Sequence, residues 1–86
     1  MAMRLERIDH AAGVRADFQG GTVTPVAFRL NGREHRVRRV NARWIDRASR
    51  HPCFYFSVTV ESGDVYQLHV QGADLVWRVD HVALEG

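Results

Sequence analysis

The chain has 86 residues, of which 45% are hydrophobic and 26% charged, and its net charge is +2 at neutral pH. This length allows one domain with a small core, and we assign residues 1–86 to a single domain. No apolar run approaches the roughly 20 residues of a membrane span, the single cysteine excludes an internal disulfide, and the N-terminus lacks the apolar segment of a signal peptide. We therefore expect a protein of the reducing cytoplasm with no membrane partner.

Residues 1–24 have the least regular pattern in the chain. Their scattered apolar residues fit a short strand or a helical turn, and Gly20-Gly21 is typical of a hinge. Three interpretations stay open for this segment: it adds an edge strand, it caps one end of an open barrel, or it is mobile. The more regular residues 25–84 predict a β-sheet core.

The clearest turn signal is Asn31-Gly32, which lies between two runs with strand periodicity. Asn and Gly tolerate the positive φ that a type I′ turn requires at both central positions. Because a two-residue turn fixes the register, we expect Phe28 opposite His35. The predicted core face of this hairpin consists of Val26, Phe28, Leu30, His35 and Val37.

Beyond Val37 the alternation of apolar residues slips by one position and then continues to Trp44. A β-bulge repairs such a slip, and we place one near Arg38-Arg39. A bulge can re-aim a side chain at a functional site, but its commoner use is to let a small sheet curl, and we adopt that interpretation.

The run CFYFSVTV, residues 53–60, follows a polar loop and alternates as a strand does. A three-residue loop with Gly63 in the left-handed conformation then places Phe56 opposite Leu68. This register keeps the apolar residues of both strands on one face of the sheet.

The last two predicted strands are joined by a four-residue loop that begins at Gly72. The loop places Val70 opposite Trp77, and it places Tyr66 opposite an inward-facing His81. Beyond this point the last strand loses strict alternation.

These elements predict an all-β fold, a five-stranded antiparallel meander curled into an SH3-like or partly open barrel. Both tryptophans are assigned to the core, and not to an exposed stacking platform, because each lies on the apolar parity of its strand. The predicted core consists of Phe28, Val37, Val40, Trp44, Phe54, Phe56, Val58, Tyr66, Leu68, Val70, Trp77 and Val79.

The spacing of these positions also resembles a known family. The pattern P-x-x-F-x-W-x-G-R-x-Y-x-V-x-x-V-x-x-x-W, followed by V-Y-x-L and W-x-L/V-x-x-V, is that of DUF6504, a family of small bacterial domains frequent in actinobacteria. The matching residues of this chain are Pro25, Phe28, Gly32, Arg33, Val37, Val40, Trp44, Val65, Tyr66, Leu68, Trp77, Val79 and Val82.

The resemblance implies a single β domain, but it implies no activity, because the family has none established. The association of its members with genes for error-prone DNA repair polymerases implies a role near DNA. This chain has Leu30 where the family has Trp, and His35 where the family has Tyr. Both departures argue against an aromatic surface platform at these positions.

The side chains able to bind a metal are scattered, without the paired spacing of tetrahedral sites, so we expect no metal and no cofactor. His51 and Cys53 lie two positions apart, but no nucleophile motif or phosphate-binding loop supports them as a catalytic pair. We therefore predict that the protein is not an enzyme. The histidines and the cysteine considered as metal ligands are His10, His35, His51, Cys53, His69 and His81.

Basic charge is concentrated in one stretch of the chain. Eight of the twelve arginines lie between Arg29 and Arg50, where Glu34 and Asp46 are the only acids. A row of guanidinium groups suits contact with phosphates and bases, whereas a solvated face or a charged edge that prevents aggregation is the simpler interpretation. The candidate nucleic-acid-binding residues are Arg33, Arg36, Arg38, Arg39, Arg43, Arg47 and Arg50.

The sequence therefore predicts a non-catalytic accessory module with weak, sequence-independent binding of DNA or RNA through this strand. The alternative is a protein–protein interaction module or a homodimer. It would use an exposed edge strand and the charge complementarity between the basic stretch and the acidic remainder of the chain.

Overall fold

The computed structural model describes residues 4–84, which form seven antiparallel strands in a single sheet. This part of the chain contains no helix, and so no helix long and apolar enough to cross a membrane. The all-β class is confirmed, although the strands number seven and not five. They are β1 (Arg4–Ala11), β2 (Gly13–Gln19), β3 (Thr22–Leu30), β4 (Arg33–Asp46), β5 (Cys53–Val60), β6 (Val65–Gln71) and β7 (Trp77–Leu84).

The N-terminal segment supplies both ends of the sheet. The strand order is β1-β7-β6-β5-β4-β3-β2, so β1 and β2 lie at opposite ends although only Ala12 separates them in the chain. The Ala12 backbone N donates a hydrogen bond to the carbonyl oxygen of Trp77 at 3.0 Å. Because one continuous stretch of chain occupies both ends, the sheet curls around its core, and it stays open since no ladder joins β1 to β2 within residues 4–84.

Two of the three predicted hairpin registers are confirmed. Asn31 and Gly32 have φ values of 52° and 76°, and Phe28 lies opposite His35. Gly63 has a φ of 96°, and the strands on either side of its loop pair in the predicted register, with Val58 opposite Tyr66. Local turn chemistry thus determines how β3 pairs with β4 and how β5 pairs with β6.

The strand β4 contains two bulges, where one was predicted. The first lies between Val37 and Arg39, as expected, and the second lies between Val40 and Ala42. The second bulge shifts the parity again, so that Trp44 lies opposite Tyr55 on the outer face. The predicted core position of Trp44 is therefore wrong, and its side chain is 41% exposed.

A register shift between β6 and β7 corrects the prediction for His81. Val70 lies opposite Trp77 as expected, but Tyr66 lies opposite Val82 because Asp80 is an extra residue in β7. His81 consequently lies opposite Gln67, on the outer face, and does not point inward.

One apolar cluster fills the inner side of the curled sheet. Val37, Val40, Phe54 and Trp77 are half-buried and pack against it, as predicted. Val26 is not part of it, because it is the bulged residue of β3. The buried members of the cluster are Phe28, Leu30, Phe56, Val58, Val60, Tyr66, Leu68, Val70, Val79 and Val82.

The substitution Leu68→Ala tests this core. The Leu68 side chain is 0% exposed, so its truncation removes buried methyl groups and leaves a cavity. We expect the free energy of unfolding to fall by about 2–5 kcal/mol, measured by chemical denaturation. The matched control is Leu75→Ala at a side chain that is 73% exposed, where we expect a change within about 0.5 kcal/mol. Equal losses for the two variants would contradict the assigned core.

The substitution Gly32→Ala tests the turn between β3 and β4. A Cβ added at Gly32 would meet no atom within 4 Å, but its φ of 76° is one that side-chain-bearing residues rarely adopt. We expect a loss of about 1–2 kcal/mol in the free energy of unfolding from this conformational cost alone. Gly13→Ala in β2 is the control, because its Cβ also meets open space and its φ is not left-handed. An unchanged free energy of unfolding for Gly32→Ala would contradict the assigned turn.

Candidate nucleic-acid interface

The two bulges of β4 gather its polar side chains on the outer face of the sheet. At the first bulge, two residues of β4 are placed where a regular strand has one, and the same happens at the second. The outward set therefore includes residues that a regular strand would have turned inward. We call this set the outer ribbon, and its members, all exposed, are Arg36, Arg38, Arg39, Asn41 and Trp44.

Hydrogen bonds hold part of the outer ribbon in place. The Arg39 Nε donates to Asn41 Oδ1 at 2.9 Å, and Asn41 Nδ2 donates to Thr59 Oγ1 at 2.9 Å. The Arg38 Nη2 donates to the carbonyl oxygen of Glu61 at 2.8 Å. The contacts of Arg38 and Arg39 each use one of the five N–H donors of a guanidinium, so donors remain for an anionic ligand.

An aromatic stack lies at the far end of the outer ribbon. The Trp44 and Tyr55 rings are 5.4 Å apart between centroids and nearly parallel, with an interplanar angle of 4°. Tyr55 in turn contacts His69 at 5.2 Å between ring centroids, and His69 Nδ1 lies 2.6 Å from Asp80 Oδ1. This row crosses four strands, and the exposed part of Trp44 offers a surface on which a base can stack.

The ionisation of Tyr55 is suppressed. A side-chain hydrogen bond with Cys53, then burial, then the negative charges nearby raise the pKa of its phenol above 10.0. The ring therefore adds no negative charge beside the arginines at neutral pH.

The basic surface continues from β4 onto β3 and β2. Ala27 of β3 lies opposite Arg15 of β2 on one side and opposite Arg36 of β4 on the other. Arg29 follows Ala27 by two residues, so it lies on the same face of β3, opposite Glu34. Within the described residues, the guanidinium groups of Arg15, Arg29 and Arg36 make no hydrogen bond or ion pair. Arg15 is missing from the predicted set, although the alternation of Val14, Ala16 and Phe18 around it is a strand signal.

The structure brings three of the seven predicted arginines together and separates the others. Arg36, Arg38 and Arg39 share the outer face of β4, whereas Arg33 lies at the tip of the β3–β4 hairpin. Arg43 faces the inner side, opposite Phe56. The last two predicted residues lie in the exposed loop after β4, and they are Arg47 and Arg50.

No arrangement for metal binding is present in residues 4–84, where no three His, Cys, Asp or Glu side chains are placed to hold an ion. Cys53 is buried, and His51 is exposed in the loop that precedes β5. His10 and His69 lie on different strands, β1 and β6, and His69 is held by Asp80.

Comparison with known proteins adds no relative: no family model matches the chain, and no curated protein or solved structure matches it either. The resemblance to the DUF6504 family stays a prediction based on the residues that carry it.

The titration of His35 is a test of the core edge beside this surface. Its ring lies 5.1 Å from the Phe28 ring and 5.1 Å from the Tyr66 ring, between centroids. Burial, and after it the charge of Arg33, lower the pKa of His35 below 6.5, while Asp64 opposes the shift. We expect nuclear magnetic resonance titration to show this lowered pKa, and Arg33→Gln to raise it.

The lowered pKa of His35 also predicts how the stability of the protein changes with pH. Because the pKa of His35 is lower in the folded state than in the unfolded state, its contribution to stability is complete above pH 6.5 and declines as the pH falls toward the folded value. The variant His35→Phe should lose this part of the pH dependence. Arg50→Gln removes the same charge from the loop after β4 and should leave the pKa of His35 unchanged. A folded-state pKa at or above 6.5 would contradict the assigned environment.

Proposed function

We propose that this protein is a non-catalytic accessory module that binds single-stranded nucleic acid without sequence preference. The interface is the outer ribbon of β4 together with the Trp44–Tyr55 stack. The observation that carries the proposal is that Trp44 lies on the same exposed face as Arg36, Arg38 and Arg39. We place this activity in the reducing cytoplasm, where the single Cys53 stays a thiol.

Two kinds of contact support the choice of a single strand. Guanidinium groups bind phosphates wherever the backbone passes, and an exposed aromatic ring stacks on a base of any identity. A base inside a duplex does not offer its face to Trp44, whereas an unpaired base does. The combination therefore favours single strands over duplexes and does not distinguish one base sequence from another.

The length of the outer ribbon suits a short segment of nucleic acid. From Arg36 to Trp44 the strand advances eight positions, and at about 3.3 Å per residue it reaches at most roughly 26 Å. Sites on comparable small barrels hold about four nucleotides or more. If the three arginines each neutralise one phosphate, the logarithm of the binding constant should fall with the logarithm of salt concentration with a slope of about −2.

Fluorescence anisotropy with labelled oligothymidine, oligouridine and a duplex of equal length tests the proposal. Trp44→Ala should weaken single-strand binding by about 1–3 kcal/mol, the usual value of one stacked base. The triple variant Arg36→Ala, Arg38→Ala, Arg39→Ala should weaken it further and flatten the salt dependence. The DNA and RNA arms show which of the two is preferred.

The matched control removes three arginines that are already ion-paired and that lie on β1 and β7, outside the outer ribbon. Arg4, Arg7 and Arg78 pair with Glu6, Asp9 and Asp74 respectively, so their replacement by Ala changes the net charge equally. Equal losses for the two triple variants would show that binding reflects overall charge and not the arginines of the outer ribbon. Absence of binding by the unmodified protein at low salt would overturn the proposal in favour of a protein–protein interaction module or a homodimer, which salt-dependent sedimentation would then detect.

A further inference from the structure

An apolar cavity of about 730 Å³ opens between the β2–β3 turn, the end of β4 and the β6–β7 loop. Its volume lies in the range of pockets that hold small organic ligands, about 300–1,000 Å³. The cavity is at the open end of the curl, and its lining includes Trp44 and Tyr55, the stacked pair of the proposed interface, but no arginine of the outer ribbon. Its principal lining residues are Phe18, Arg43, Ile45, Phe56, Leu75 and Trp77.

Large apolar side chains at the rim of the cavity are exposed to solvent. Phe18 is 76% exposed and Leu75 is 73% exposed, and Ile45 is also exposed. Three such side chains around one opening form a contiguous apolar patch and not the single scattered residues that are normal on a surface. A ligand seated in the cavity would remove this patch from water.

The backbone of Leu75 supports the same conclusion. Its φ is 57°, a left-handed conformation that is a genuine outlier for a bulky residue. The Leu75 side chain projects into solvent, so no burial of this side chain within the protein offsets the strain. Strain of this kind concentrates at ligand clamps and switch regions, where another interaction offsets it.

One positive charge lies in this apolar setting. Among the described residues that line the cavity, Arg43 is the only one that is charged at neutral pH. Its Nη1 donates to the carbonyl oxygen of Val23 at 3.1 Å, and its guanidinium carbon lies 5.8 Å from the centre of the Phe56 ring. These contacts hold the group at the cavity and leave most of its five N–H donors free for a carboxylate.

We propose that this cavity is a binding site for a small amphipathic carboxylate, a molecule with an apolar chain or ring system and one carboxyl group. The apolar part lies against Phe56, Trp77 and Leu75, and the carboxylate accepts hydrogen bonds from Arg43. The charge complementarity at Arg43 selects this class over an uncharged apolar molecule. None of the three arginines of the outer ribbon lines the cavity, so carboxylate binding at Arg43 does not require the phosphate contacts, although Trp44 and Tyr55 line both surfaces.

Decanoate and decanol, used below their aggregation concentrations, form the test pair because they share the chain and differ in charge. Binding is followed by tryptophan fluorescence and by amide chemical shifts in isotope-labelled protein. We expect decanoate to bind about tenfold or more tightly than decanol, since a hydrogen bond to a charged group is worth at least this factor. The shift changes should include Ile45, Leu75 and Trp77.

Two variants locate the site. Arg43→Gln should remove the preference for decanoate and leave decanol binding unchanged, and Arg43→Lys should retain part of it. Phe18→Glu places a negative charge at the rim, where the Phe18 side chain is 76% exposed, and should weaken decanoate binding about tenfold or more. Leu5→Glu is its control, because Leu5 is 69% exposed and lies outside this cavity.

Three results would overturn the proposal. The first is equal affinity for decanoate and decanol, the second is decanoate binding unaffected by both Arg43→Gln and Phe18→Glu, and the third is no binding of either compound. Concentration-dependent shifts at the rim without any ligand would assign the apolar patch to a second copy of the chain instead.

Discussion

A sheet that curls around one core must change which side of its strands faces inward, because side chains alternate strictly along a regular strand. Five register shifts provide these changes, in β1, β3, β7 and twice in β4. Each shift adds one residue to a strand, so two core residues can lie three positions apart, as Val37 and Val40 do and as Val79 and Val82 do. The face on which each side chain of the candidate interface in β4 lies depends on the positions of these extra residues.

The features of the fold that could be predicted from the sequence depend on a few neighbouring residues. The Asn-Gly turn and Gly63 define their loops by the φ values that they allow, and two hairpin registers follow from them. The first bulge of β4 could be placed because the apolar spacing breaks after Val37. The second could not, since Val40 and Trp44 already fit a regular alternation, and only the pairing with β5 shows that the alternation is accidental.

Less of the candidate interface could be predicted than of the fold. The concentration of arginines in β4 is visible in the sequence, but its division between two faces depends on the second bulge. Arg43 belongs to the predicted set of binding arginines but faces the cavity, and Trp44 belongs to the predicted core but lies on the outer face. Arg15 could not be grouped with the others, because the short alternation around it indicates a strand but not its neighbour, and only the long-range pairing of β2 with β3 places it near Arg36.

Asn41 connects the two surfaces that the proposals concern. It is the extra residue of the second bulge, and without an extra residue at this point Trp44 would face inward and Arg43 outward. Its side chain also accepts the hydrogen bond from Arg39 and donates one to Thr59. The same residue therefore orients a guanidinium of the outer ribbon and, through the parity of the strand, places Arg43 at the cavity. One strand can thus contribute to two different surfaces, because a single inserted residue changes which side chains lie on each of its faces.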